Sequence, residues 1–95
     1  MSSGDLFRAL GDPTRREILK LLRSGDMSAG ELADRFPLAR STLSGHFNVL
    51  KHAGLIVCER QKTSLVYSLN VSAVEEAVSV LMDLARVGRA RKGGV

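Results

Sequence analysis

Apolar residues recur at helical spacing in the middle of the chain. Leu43, Phe47 and Leu50 lie three or four positions apart, which predicts a helix that buries one face. Gly54 follows and predicts the end of this helix, because glycine readily adopts the backbone conformation that terminates helices. The other faces are polar, and residues 40–57 contain no Asp or Glu. An ordinary solvated face usually mixes acidic and basic residues, so this pattern favours an anionic partner.

Similar spacing and capping residues predict further helices on both sides. Asp12 is a suitable N-cap, and Pro13 suits the first position of a helix. Capping-box patterns at residues 28–31 and 72–75 each predict a helix start. The predicted helices cover residues 5–10, 13–22, 29–35, about 39–53 and 72–88.

Two short runs rich in β-formers predict a hairpin over residues 56–69. The strands cover residues 56–60 and 65–69, and residues 61–64 connect them. Residues 89–95 are basic and are expected to form a flexible tail. The expected fold is mostly α with a small β-hairpin, in the order α-α-α-α-β-β-α. A helix-turn-helix over residues 28–54 followed by a two-stranded ribbon defines a winged helix-turn-helix.

Composition limits the function. Ninety-five residues form one domain, 1–95, and a domain of this size favours a dimer because its own core is thin. The aromatic content of 4%, without Trp, disfavours base stacking on single-stranded nucleic acid. A net charge of +4 suits a double-stranded DNA partner. One cysteine, no membrane-length apolar run and no secretion signal predict a cytoplasmic protein.

The second helix of a helix-turn-helix enters the DNA major groove with its N-terminal end first. Here that helix presents hydrogen-bond donors, and the small residues Ser44 and Gly45 permit a close approach to the duplex. The hairpin tip adds cations for the DNA backbone or minor groove. The predicted DNA-binding residues are Arg16, Arg40, Ser41, Thr42, Ser44, Gly45, His46, Asn48, Lys51, Arg60, Gln61 and Lys62. A protein-interaction module is the alternative. An enzyme is disfavoured because no phosphate loop, carboxylate pair or nucleophile–base set is evident.

Three segments resemble the ArsR/SmtB family of bacterial winged-helix repressors. Residues 6–19 resemble its opening signature, residues 44–56 its recognition helix, and residues 66–69 its second wing strand. The resemblance implies a homodimer that binds an inverted-repeat operator and represses transcription. It also implies a dimer interface formed by the first and last helices. The expected interface residues are Leu6, Phe7, Leu10, Val74, Val78, Leu81, Met82 and Ala85.

Metal sensing, which is common in that family, is not expected here. The family's two cysteines around a valine correspond to residues 28–30, which are Ser, Ala and Gly. Residues 71–87, at the predicted last helix, contain no His, and Asp83 is their one Asp. Borderline metals need Cys or His ligands in adequate number. No cofactor is therefore expected, and residues 11–16 resemble the metal-independent autorepressor branch, whose members are controlled by a partner protein, sometimes a membrane protein.

Three local features depart from that family or remain open. Ala39 stands where the family often has a capping Ser or Thr, so Ser41 is an alternative N-cap. Thr63 stands where a wing glycine is common, so a looser turn is expected. Cys58 lies near Arg60, and a redox-responsive thiol is possible there, although a small side chain under the hairpin is the favoured interpretation.

Overall fold

A computed structural model describes the backbone of residues 3–93 and the side chains of residues 4–86. The helices are α1 (Ser3–Leu10), α2 (Pro13–Arg23), α3 (Ala29–Ala33), α4 (Arg40–His52) and α5 (Val71–Gly93). The strands are β1 (Met27–Ser28), β2 (Ile56–Gln61) and β3 (Ser64–Leu69). The predicted order of four helices, hairpin and helix is confirmed, with the two-residue strand β1 added between α2 and α3.

Two of the predicted helix starts are confirmed by their hydrogen bonds. The Asp12 carboxylate accepts from the backbone N–H of Arg15 at 3.1 Å at the start of α2. At α3 the Ser28 hydroxyl accepts from the backbone of Glu31 at 3.0 Å, and the Glu31 carboxylate accepts from the backbone of Ser28 at 2.9 Å. Both caps satisfy backbone donors that the first turn of a helix leaves free.

Two other capping predictions are wrong. Ala39 is the N-cap of α4 and makes no side-chain hydrogen bond, and Ser41 lies inside the helix. At α5 the cap is Asn70, whose Oδ1 accepts from the backbone of Ala73 at 3.3 Å. The capping box expected at residues 72–75 therefore lies two residues too late, because Asn70 already supplies the acceptor.

Helix α4 ends in a Schellman motif at Gly54, the residue from which the helix end was predicted. Gly54 has φ of 78° and donates its N–H to the carbonyl of Lys51 at 2.9 Å, while Leu55 donates to Leu50 at 3.0 Å. The chain thereby turns directly from α4 into β2, which ties the base of the hairpin to the end of this helix.

The three strands form an antiparallel sheet in the order β1-β3-β2. β3 lies in the middle, and its Tyr67 stands opposite Met27 on one side and Cys58 on the other. Gln61 pairs with Ser64, so the hairpin turn is two residues long, with Lys62 at φ 58°. The looser four-residue connection expected from the absence of glycine is wrong, because Lys62 itself adopts the left-handed conformation.

The core joins one face of α4 to every other element. The predicted set Leu43, Phe47 and Leu50 is buried, and the rings of Phe47 and Tyr67 lie 4.6 Å apart between centroids. Leu6 is only 3% exposed and packs in the same core. Within the subunit α1 turns Leu6 inward and leaves Phe7, at 42% exposure, in solvent, and the place of Leu6 at a dimer interface stays a prediction.

Helix α5 is longer than predicted. It continues to Gly93, whereas the sequence analysis places a flexible tail over residues 89–95. Arg, Ala and Lys all favour helices, and no proline interrupts the segment. Residues 94 and 95 lie outside the described residues. Among the α5 side chains that the structure describes, residues 71–86, those of Ala73 and Ala77 are buried, and every side chain from residue 81 to residue 86 is exposed.

Candidate nucleic-acid interface

The outward face of α4 is polar and carries no carboxylate. At about 100° per residue, one line of residues at spacings of four, three and four lies farthest from the buried face. This line consists of Ser41, Gly45, Asn48 and His52, all exposed. His52 is not among the predicted DNA-binding residues, although its position four residues after Asn48 places it on the same face. Each of the three side chains on this line can both donate and accept a hydrogen bond.

Further predicted residues flank this line. Arg40 and Ser44 border a hollow between α4 and α3, beside Ala29 and Ala33. The other flanking residues, all exposed on α4, are Thr42 and Lys51. The face therefore presents cations along one edge and small or neutral groups at its centre. In this arrangement the cations at the side of the face can contact DNA phosphates, and the small or neutral groups at its centre can contact the bases.

Gly45 leaves space on the outer surface. A Cβ built at this position meets no atom within 4 Å. A glycine inside a helix destabilises it by roughly 1 kcal/mol relative to alanine, and nothing within the subunit requires one here. The absent side chain instead lets another molecule approach the backbone of α4 closely.

Arg15 holds α4 in place from the neighbouring helix. Its guanidinium donates to the carbonyls of Ala9 at 2.9 Å and Arg8 at 2.8 Å, at the end of α1. It also donates from Nη1 to Nδ1 of His46 at 3.1 Å. One side chain on α2 therefore links α1 to α4. No periodic pattern predicts this role, because the three partners lie on other helices, six to 31 residues away along the chain.

The ring of His46 is held by these contacts. Arginine can only donate, so the Arg15 contact uses Nδ1 of the ring as the acceptor. Asp12 Oδ2 lies 3.9 Å from the same Nδ1, which is too far for a hydrogen bond. The hydrogen bond from the Arg15 backbone lowers the pKa of the Asp12 carboxyl below its usual range. His46 is half-buried and bound inside the subunit, unlike the other predicted DNA-binding residues of α4.

Arg16 faces away from this network. Its Nη1 donates to the carbonyl of Leu10 at 2.8 Å, and its side chain borders a groove between α2 and α5. The structure therefore does not bring Arg16 together with the outward face of α4. A cation at the start of α2 is favourable here because its side chain donates to a carbonyl at the end of α1 that no backbone N–H of the helix satisfies.

The hairpin carries the remaining predicted residues at its tip. Arg60, Gln61 and Lys62 are all exposed, and the two-residue turn holds them at the end of the paired strands. The inner end of the hairpin is anchored by buried Ile56 and Tyr67. A rigid base and a solvated cationic tip suit contact with a polyanion beside the recognition helix.

Cys58 is half-buried on β2 and is a free thiol opposite Tyr67. Burial raises the pKa of the Tyr67 hydroxyl to about 12, and the neighbouring Cys58 side chain, which hydrogen-bonds with it, adds to this effect. The position agrees with the favoured interpretation of a small side chain under the hairpin.

Two other kinds of feature, a metal site and a membrane span, were sought in the part of the chain that the structure describes. Within it, no three Cys, His, Asp or Glu side chains lie close enough together to hold a metal ion. None of its helices has the length and apolar character that a membrane span requires. A three-helix scaffold that presents a donor-rich helix, with a cationic hairpin beside it, defines a winged helix-turn-helix DNA-binding domain.

Comparisons with known proteins agree with this class. Residues 10–59 match the family model of a helix-turn-helix domain. The chain is 37% identical over 84 residues to the transcriptional repressor SdpR of Bacillus subtilis, covering 88% of this chain and 93% of that protein. It is 34% identical over 83 residues to the uncharacterized HTH-type regulator MJ1325 of Methanocaldococcus jannaschii, covering 86% of this chain and 93% of that protein. An ArsR-like regulator from Rhodococcus sp. RHA1 superposes with a TM-score of 0.85 at 28% identity, covering 96% of this chain and 86% of that one.

The chain therefore belongs to the ArsR/SmtB family of winged helix-turn-helix repressors. It is a DNA-binding transcriptional regulator and not an enzyme. The resemblance found in the sequence is confirmed.

Proposed function

We propose that this protein is a homodimeric repressor that binds an inverted-repeat operator through α4 and the hairpin tip of each subunit. The observation that carries the proposal is the outward face of α4, which is exposed, rich in donors and free of carboxylates. The proposed contacts to bases and phosphates come from Arg40, Ser41, Ser44 and Asn48 on α4, and from the hairpin tip. We also propose that the protein acts in the cytoplasm on its own promoter, and its similarity to the transcriptional repressor SdpR supports the repressor role.

A second copy of the chain is the proposed cover for α5. This helix exposes apolar side chains that a soluble monomer would be expected to bury, and Phe7 of α1 is exposed as well. The exposed apolar side chains of α5 include Val78, which is 53% exposed, Leu81 at 49%, Met82 at 52% and Leu84 at 63%. Two-fold pairing of such helices would bury them and would set two recognition helices at the spacing of an inverted repeat.

We further propose that no metal ion controls this repressor. Residues 28–30 form the capped start of α3, and their Ser, Ala and Gly side chains offer no thiolate. Control by a partner protein, as in the autorepressor branch, remains the proposed alternative, and oxidation of Cys58 is a second one.

The test is a gel-shift titration against the DNA upstream of the protein's own coding region, with the native chain and two matched variants. Ser44→Glu places a negative charge on the outward face of α4 and is expected to abolish the shift, since a carboxylate repels the phosphates. Ser79→Glu, exposed on α5, adds the same charge elsewhere and is expected to bind as the native chain does. Circular dichroism checks that both variants fold.

The same titration separates the controlling signals. Binding that is indifferent to zinc and to oxidant supports metal-independent control by a partner. Release by zinc would overturn metal independence, and release by oxidant would assign the switch to Cys58. No shift from a folded dimer would favour a protein-interaction module.

A further inference from the structure

A hollow of about 250 Å³ lies between α1 and the C-terminal half of α4. Two of the residues that line it, Asn48 and His52, belong to the line of α4 that lies farthest from the buried face. Helix α1 borders the hollow with Asp5 and Arg8, and Val49 of α4 completes the lining. The outward face of α4 is therefore continuous with one side of α1, which carries none of the predicted DNA contacts.

Arg8 lies on the side of α1 opposite to its apolar residues. It is two positions away from both Leu6 and Leu10, which at about 100° per residue places it about 160° from each around the helix axis. None of the residues that line the hollow is among those predicted for the dimer interface. A second copy of the chain on the apolar side of α1 and on α5 therefore has no predicted contact with this hollow.

Arg15 fixes the position of Arg8 relative to the recognition helix. The carbonyl of Arg8 accepts from Nη2 of Arg15 at 2.8 Å, and Nη1 of Arg15 donates to Nδ1 of His46 on α4 at 3.1 Å. The residue that follows Arg8, Ala9, is fully buried in the core. The backbone of Arg8 is therefore held beside α4, while its side chain is exposed and carries its charge into solvent.

We propose that the guanidinium of Arg8 binds a phosphate of the operator, so that each subunit contacts DNA through α1 as well as through α4 and the hairpin tip. Arginine suits this ligand because its planar N–H donors can bind two phosphate oxygens at once. Asp5 is half-buried, whereas Arg8 and His52 are exposed, so the groups most open to solvent are a cation and a hydrogen-bond donor. The proposal adds a contact to the proposed DNA complex and so rests on the proposed function.

The salt dependence of binding to the upstream DNA tests this contact, measured by fluorescence anisotropy for the native chain and for Arg8→Gln. One phosphate contact in each subunit adds about −2 to the slope that the cations of α4 and the hairpin tip produce. The loss of affinity caused by Arg8→Gln should therefore be about tenfold larger at 50 mM salt than at 200 mM. Arg8→Lys keeps the charge and should keep the native slope. The matched control Lys20→Gln removes an exposed cation outside the hollow and should keep it as well.

A second measurement separates a phosphate contact from a structural role of Arg8. Each phosphate of one half-site is replaced in turn by a neutral methylphosphonate. At one position the replacement should weaken binding of the native chain and leave binding of Arg8→Gln unchanged, because the variant has already lost that contact.

The native chain is measured first, and its failure to bind the upstream DNA would contradict the proposed function. If the native chain binds, an equal slope for Arg8→Gln would overturn only the contact from α1. So would weaker binding by Arg8→Gln in which no phosphate position distinguishes the variant from the native chain. Sedimentation and thermal melts check that Arg8→Gln remains a folded dimer.

Discussion

Replacing Gly45 with alanine should make the protein more stable and, at the same time, a weaker DNA binder. Gly45 lies inside α4 on its outward face, and a Cβ at this position has no neighbour within 4 Å. The substitution therefore introduces no clash within the subunit. It removes the backbone freedom that glycine contributes to the unfolded chain.

The size of the stabilisation follows from helix propensity. Alanine is favoured over glycine by about 0.8–1.0 kcal/mol in a helix interior. For a domain of this length, 1 kcal/mol corresponds to roughly 4–8 °C in melting temperature. Thermal melts compare the two proteins at equal concentration, since the melting temperature of a dimer depends on concentration. Ser79→Ala, at an exposed position of α5, is the control and should give a smaller gain without any change in DNA binding.

The opposite effect is expected on DNA. A methyl group on each of two recognition helices would hold both away from the base edges, at about 1 kcal/mol for each half-site. Operator affinity should therefore fall roughly 30-fold for a dimer, measured by fluorescence anisotropy. Unchanged affinity would refute the argument that this face meets the duplex. A lower melting temperature would show instead that the subunit itself needs glycine here.

Three further predictions concern the scaffold. Arg15→Gln should lower the free energy of unfolding by about 1–3 kcal/mol and weaken operator binding, because it breaks the link between α1 and α4. Arg16→Gln loses a single contact, so chemical denaturation should show a smaller loss of unfolding free energy for this control variant. Tyr67 has a pKa raised to about 12 by burial, so its contribution to stability is complete below about pH 10 and is lost as the pH rises through 12. Tyr67→Phe should remove this part of the alkaline loss of stability, and an identical alkaline profile would contradict the assignment. Leu81→Glu should shift sedimentation towards monomer, whereas Ser79→Glu should not, and equal dimerisation of both would place the interface elsewhere.

The fold was predictable where a pattern repeats within one element. The buried spacing of Leu43, Phe47 and Leu50, the glycine after α4 and the two β-rich runs each carry a local signal that the structure retains. Strand β1 carries no such signal, because two residues are too few for a period. It forms because Met27 and Ser28 meet the free edge of β3.

The candidate interface was predictable to a similar degree. The exposed positions of Arg40, Ser44, Asn48 and Lys51 follow from helical spacing alone. The inward role of His46 does not, because it depends on Arg15, which lies 31 residues earlier in the chain. Interactions of this kind come from packing between helices, and the sequence of either helix alone contains no sign of them.

The salt dependence of operator binding tests the central claim most directly. Each subunit presents Arg40, Lys51, Arg60 and Lys62 around the proposed DNA face. If all of them neutralise phosphates in a dimer, the logarithm of the association constant falls with the logarithm of the salt concentration at a slope of about −7. Affinity for the operator is expected to fall about 10⁴-fold between 50 and 200 mM salt. A slope near zero, with binding retained, would contradict recognition of DNA by this face.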